Sequence, residues 1–207
     1  MGQAAKSAEA GTTQFYDAHA QDYSESTVRL DLRALREPFL KALRPGSHIL
    51  DAGCGSGRDS KAFLDGGYRV TAIDASHELA RLATAYTGLP SQVLSFQEMQ
   101  FREEFDGIWA CASLLHVPPR DINNVMTRFV QALKPGGVFY ISLKEGQGER
   151  IAEDGRFFNY YTLESFRELL ASYPALGEAS VWKTPEIRSL NHREPWLNFL
   201  LSKATKI

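Results

Sequence analysis

Along this 207-residue chain the period of the apolar positions keeps changing. Short continuous apolar runs alternate with stretches in which apolar residues return every three or four positions. His48-Ile49-Leu50-Asp51-Ala52, Tyr68–Asp74, Val93–Phe96, Phe105–Ala112 and Val138–Leu143 are the continuous runs, each of strand length. Runs of this kind, bounded by glycine and proline, read as strands buried on both faces. The helical stretches lie between them. Arg58 to Asp65 is stopped by Gly66-Gly67. A helix capped by Ser76, with Glu78 in its first turn, carries the stripe Leu79, Leu82, Ala83 and Tyr86. After Pro118-Pro119, with Asp121 as its cap, comes Ile122, Val125, Met126, Phe129, Val130 and Leu133. Upstream, Leu32, Leu35, Phe39, Leu40 and Leu43 give one apolar face to a helix predicted over Val28–Leu43.

Strands and helices in alternation predict an α/β fold: a doubly wound, mostly parallel seven-stranded sheet with helices on both faces. Thr162 caps a last helix, with Phe166, Leu169 and Leu170 inward. Ala179–Lys183 and Trp196–Ser202 close the sheet with an antiparallel edge. Lys144–Asn159, rich in glycine and charge, reads as a mobile surface loop. Met1–Thr13 is small and polar and reads as a disordered tail, which leaves residues 14–207 as a single domain.

The chemistry concentrates after the first strand. Gly53, Gly55 and Gly57 alternate in Asp51-Ala-Gly-Cys54-Gly-Ser-Gly-Arg58, a turn where backbone takes positive φ and a ligand approaches closely. Asp74, ending the second strand, stands about 20 residues past the first glycine, the spacing at which a nucleotide-fold acid meets ribose hydroxyls. A dinucleotide fingerprint, G-x-G-x-x-G, would need glycine where Arg58 stands. The pattern Asp-x-Gly-x-Gly-x-Gly resembles motif I of the class I S-adenosylmethionine (SAM) methyltransferases. Phe105–Ala110 is similar to that family's strand past the adenine, and Leu133-Lys-Pro-Gly-Gly-Val-Phe-Tyr-Ile141 to its turn before strand five. The aromatic segment Gln14–Tyr23 is a third match. The resemblance spans roughly residues 14–172.

The resemblance implies SAM as cofactor and S-adenosylhomocysteine (SAH) as by-product. It implies that Asp51, Gly53 and Gly55, with Cys54 between the glycines, bracket the methionyl amine and carboxylate. Asp74, followed by Ala75, accepts from both ribose hydroxyls. Phe96 packs on the purine, and Gln97 or Glu98 takes its edge. Ala112 opens the segment beside the sulfonium, and His116 beyond it either orients or deprotonates the acceptor or caps the turn. Tyr16 and Tyr23 line the cofactor or acceptor pocket, or anchor their segment. Arg156 and Tyr160 fall in the variable region where acceptors bind, and Arg156 either holds an acceptor carboxylate or is surface decoration. Arg58 either reaches the cofactor carboxylate or is solvated.

Charge narrows the acceptor. A formal net charge of −2 supplies no basic field for nucleic acid. The compact chain, without an added recognition domain, points to a small-molecule acceptor. Cys54 and Cys111 lie in apolar stretches and read as free thiols in a reducing compartment, with no metal. With no apolar run near 20 residues and no leader pattern, the expectation is a cytoplasmic protein off the membrane, monomer or homodimer. Competing readings are a SAM-binding module without turnover, a tRNA or protein methyltransferase, and a nicotinamide-dependent oxidoreductase, which Arg58 disfavours.

Overall fold

The computed structural model describes residues 11–186 and 195–205. Its central sheet has seven strands: β1 (His48–Ala52), β2 (Arg69–Asp74), β3 (Gln92–Val93), β4 (Phe105–Cys111), β5 (Leu133–Lys144), β8 (Leu176–Thr184) and β9 (Trp196–Lys203). Their order is β3-β2-β1-β4-β5-β9-β8. The first five are parallel, and β9 runs antiparallel between β5 and β8. This is the doubly wound sheet with an antiparallel edge hairpin that the periodicity predicts. Chain order reverses between β1 and β4, so the crevice outside their carboxyl ends is where such a sheet receives ligands.

Helices cover both faces. α3 (Arg58–Asp65) and α2 (Arg33–Lys41) pack on one, where Phe39, Phe63, Trp109 and Tyr140 are fully buried. Trp109 and Tyr140 stack at 3.9 Å between centroids. α5 (Pro119–Ala132) and α6 (Leu163–Ala171) take the other face, burying Val125, Met126, Phe129 and Phe166. α4 (His77–Thr87) starts at Ser76, whose Oγ accepts from the Leu79 amide at 3.1 Å. Gly57 has φ +77°, and a Cβ there would stand 3.1 Å from Ala83 of α4. The third glycine of the loop thus lets α4 close against it.

Several local expectations are corrected. Residues 11–13 are not part of a frayed tail; they open a helix over residues 11–18, and Thr12 is buried. The helix expected from Val28 begins only at Arg33, with α1 (Ala20–Thr27) and an irregular turn before it. Pro119 starts α5, because proline lacks only the amide that a first helical position leaves unbonded. The run Val93–Phe96 yields two strand residues; Phe96–Glu98 instead form a 3-10 turn closed by a Ser95–Glu98 capping box. Tyr86 is exposed. The supposed surface loop 144–159 holds the hairpin β6 (Gly148–Ile151) and β7 (Phe157–Tyr160), whose Phe157, Phe158 and Asn159 are buried.

Candidate functional site

A cavity of about 390 Å³ opens at the carboxyl ends of β1, β2 and β4. Its floor is the glycine turn. The Gly53 and Cys54 amides both donate to the Ile73 carbonyl at 2.9 Å, which fastens the turn to β2. Gly53 has φ +77°, and a Cβ on it would lie 2.5 Å from the Ser113 Cβ, so only glycine leaves this floor open. At the end of β2, Asp74 Oδ2 accepts the Gly55 amide at 2.8 Å and Oδ1 the Ser76 amide at 2.9 Å. Each oxygen keeps a second lone pair for a ligand. Burial pushes this carboxyl up to about 6, against the pull of those two amides.

The far wall is apolar, from Leu94 and Phe96, with Gln97 and Glu98 beside them. Phe96 is held edge-on by Phe129 at 5.2 Å. Glu98 is engaged in its own capping box, accepting from Ser95 Oγ at 2.6 Å. Past β4, Ala112 holds φ +54° while its amide donates to Ser142 Oγ at 2.8 Å, and Ser113 Oγ donates to the Ala52 carbonyl at 2.7 Å. Those bonds fix the two strand ends together across the switch point.

The N-terminal helix roofs the cavity. Asp17 accepts from Ser76 Oγ at 2.6 Å, and Thr12 Oγ1 accepts the Phe157 amide at 2.9 Å. His116 joins roof to wall. Its Nδ1 lies 2.6 Å from the Phe157 carbonyl, which can only accept, so Nδ1 carries the proton and Nε2 accepts from Tyr16 Oη at 3.0 Å. Arg156 lies over Phe15 at 4.6 Å and over Phe158 at 5.3 Å while paired to Asp154 at 2.6 Å, pinning roof to hairpin.

Of the residues singled out from sequence, the structure brings Tyr16, Tyr23, Gly53, Gly55, Asp74, Ala75, Phe96, Gln97, Glu98, Ala112 and His116 to this cavity. It does not bring Asp51, Cys54, Arg58, Arg156 or Tyr160. Asp51 turns away, accepting from Ser60 Oγ of α3 at 2.6 Å, and burial together with the Asp59 charge raises it to about 7. Cys54 is buried beneath the turn, and that burial raises its thiol well above the ordinary value. Tyr160 packs against Gly146 in the hairpin. Arg58 lines a neighbouring cavity and pairs with Asp59 at 2.6 Å. Thr12, Thr13, Ser113 and Val117 are lining residues that sequence reasoning missed. Thr12 had no signal, its partner lying 145 positions away. Among the described residues no group of three or more His, Cys, Asp or Glu is set to hold a metal, and no helix is long and apolar enough to cross a membrane.

A parallel sheet with this order, a glycine turn after β1 and an acid ending β2 define a Rossmann-like, ligand-binding α/β protein. Residues 50–141 match the family model of the methyltransferase domain, and the chain carries a class I methyltransferase domain there. The 1,6-didemethyltoxoflavin-N1-methyltransferase of Burkholderia thailandensis, solved with its acceptor and SAH, superposes with a TM-score of 0.78 at 24% identity over 98% of this chain and 90% of that one. The ubiquinone biosynthesis O-methyltransferase of Xylella fastidiosa is 33% identical over 142 residues, 63% of this chain and 54% of that protein. The chain thus spans about half the length of the curated relatives it matches. The [4+2]-cyclase SpnF shares the fold as well, with a TM-score of 0.71 at 17% identity, so the architecture hosts more than one chemistry.

Proposed function

We propose that the protein transfers the methyl group of SAM to a small-molecule acceptor and releases SAH. Asp74 carries this reading: a carboxylate held by two backbone amides at the glycine turn, with lone pairs left toward a cavity shaped for a nucleoside. When bound, SAM supplies a methyl group already activated by its sulfonium, so the protein needs mainly to align and to exclude water. Asp74 receives the two ribose hydroxyls through charge-assisted bonds. The Phe96 ring and Leu94 cover the purine, and Gln97 reads its edge. Glu98, bound in its capping box, holds the turn that presents them. Gly53 and Gly55 let the amino-acid arm pass against backbone toward Tyr23 and Ala112.

His116 has both ring nitrogens engaged, by the Phe157 carbonyl and by Tyr16. In this arrangement it positions the roof over the cofactor rather than drawing a proton from the acceptor. Arg156 serves the same roof.

Titration calorimetry tests the reading directly. Asp74→Asn and Asp74→Ala should weaken SAM binding by about 10- to 100-fold, since a hydrogen bond to a charged group contributes about 1.5–3 kcal/mol. Melting curves of both variants separate lost binding from lost folding. Wild-type affinity in a folded Asp74→Ala would sink the assignment. Acceptor-dependent SAH release distinguishes turnover from a cofactor-binding module.

A further inference from the structure

Methyl transfer needs two ligand seats that share a wall, because donor carbon and acceptor atom must approach in line to about 3–3.5 Å. A second cavity of about 230 Å³ meets that requirement. Tyr23, Cys111 and Ala112 line both cavities. The wall is thin at Ala112, which offers only a methyl side chain. Ala112 is also one of two non-glycine residues at positive φ among those described. An L-residue in that region costs roughly 1–2 kcal/mol, and such strain persists where the surroundings enforce it, often at functional sites. The opposite end of the first cavity is closed by the roof through Tyr16 and His116, which leaves the shared wall as the way across.

The second cavity has an apolar body and one deep charge. Leu30, Leu32, Leu35 and the Trp196 ring line it, with Arg58. Arg58 and Arg36 each place a guanidinium nitrogen 2.6 Å from Asp59, and Trp109 Nε1 donates to the same carboxylate at 3.1 Å. Two guanidiniums against one carboxylate leave an excess positive charge. Asp51, the nearest further acid, is pushed toward its neutral form and offsets that excess only in part. The acids in the lining are already engaged: Asp31 by Arg33 at 2.7 Å, and Glu186 by Trp196 Nε1 at 3.2 Å. A buried cation without full compensation is costly and attracts an anion. Arg58 uses Nε and Nη2 on Asp59, and a guanidinium offers further donors suited to an anionic oxygen.

We propose that this second cavity is the acceptor chamber, and that the acceptor is a flat aromatic molecule with an anionic oxygen, carboxylate or ionised hydroxyl, set against Arg58. The proposal rests on the methyl-transfer reading. Two cations then face each other across the Ala112 wall, the sulfonium and the excess guanidinium, and an anionic acceptor between them is attracted by both. A lone pair of the acceptor forms the new bond to the methyl carbon as the carbon–sulfur bond breaks and its electron pair returns to sulfur. Where the attacking atom is itself the ionised oxygen, no proton is lost in the step. That accords with His116 being held elsewhere.

The test uses SAH-saturated full-length protein titrated with salicylate and with its uncharged counterpart salicylamide, followed by tryptophan fluorescence and ligand-observed NMR. Fragments of this size bind in about the millimolar range. Salicylate should bind at least tenfold more tightly than salicylamide. Ala34→Trp, on an exposed residue of α2 that lines the chamber, should weaken salicylate at least tenfold and leave SAH affinity within threefold. Arg58→Gln should remove the preference between the two probes. Equal binding of both probes to the wild type, undiminished salicylate binding in Ala34→Trp, or loss of SAH affinity instead of salicylate affinity in Arg58→Gln would each overturn the proposal. Failure of the wild type to bind SAH at all would overturn the methyl-transfer reading instead.

Discussion

The two cavities on either side of the Ala112 wall are made of different material. The first is built largely from one contiguous stretch of chain and its backbone. Gly53, Gly55 and Asp74 lie within 22 residues of one another, and the bonds that shape the floor come from amides. The second is assembled by side chains from distant segments: Leu30 and Leu35 before the sheet, Arg58 at its first crossover, Ser142 on β5 and Trp196 on β9. A backbone site tolerates side-chain change and fails when backbone conformation is denied. A side-chain site depends on charges balancing in the interior, and fails when one of them is removed.

That contrast can be broken most sharply at Asp59. Asp59→Ala leaves Arg36, Arg58 and the Trp109 N–H in the interior without their common acceptor. Breaking a buried ion pair costs about 3–5 kcal/mol, so the melting temperature should fall by roughly 10 °C at a few degrees per kcal/mol. A loss under about 1 kcal/mol by denaturant titration would show that water already shares the cluster. On the first-cavity side, Gly53→Ala forces an L-residue to φ +77° and a Cβ onto Ser113. The expected loss is about 2–3 kcal/mol of stability, with SAH affinity falling as Ser113 is displaced. If calorimetry finds SAH affinity retained, the floor of the first cavity is more pliant than its bonds imply.

The smallest effect concerns pH. Asp51 and Asp74 are raised to about 7 and about 6, chiefly by burial, whereas an unfolded aspartate titrates near 4. The folded chain therefore holds protons that the unfolded chain has released. The stability this confers is complete below about pH 4 and is lost as pH rises through 6 and 7. Melting temperature should decline between pH 5 and pH 8 by an amount on the order of 1 kcal/mol, and Asp51→Asn, which keeps an acceptor for Ser60, should flatten the decline. An unchanged slope in that variant would place the titration elsewhere.

Much of the first cavity is legible in the amino-acid sequence. Strand-length apolar runs, the spaced glycines and the acid ending β2 all act through contacts within a few residues or across one crossover, where sequence spacing and spatial distance agree. Ser76 as a cap and Asp74 at the turn belong to this kind. Sequence and structure part where the same local pattern has two physical outcomes. The polar, glycine-rich segment after β5 forms a hairpin because Phe157 and Phe158 bury against the roof and core, a gain that periodicity in a short window does not register. Asp51 and Asp74 both end a strand beside the glycines, and no spacing rule says which turns toward a ligand. The answer lies in which helix stands behind each: Ser60 of α3 captures Asp51, while the Gly55 and Ser76 amides turn Asp74 to the cavity.

By itself, then, the sequence determined the alternation of strands and helices, the doubly wound sheet and the glycine turn, because each follows from local periodicity and backbone freedom. Only the tertiary structure decided that Thr12 holds the roof shut, that His116 is tied at both nitrogens, and that Arg36 and Arg58 converge on Asp59. Those depend on contacts between residues up to 145 positions apart, whose pairing is set by how the layers close around the core and leaves no trace in the spacing along the chain.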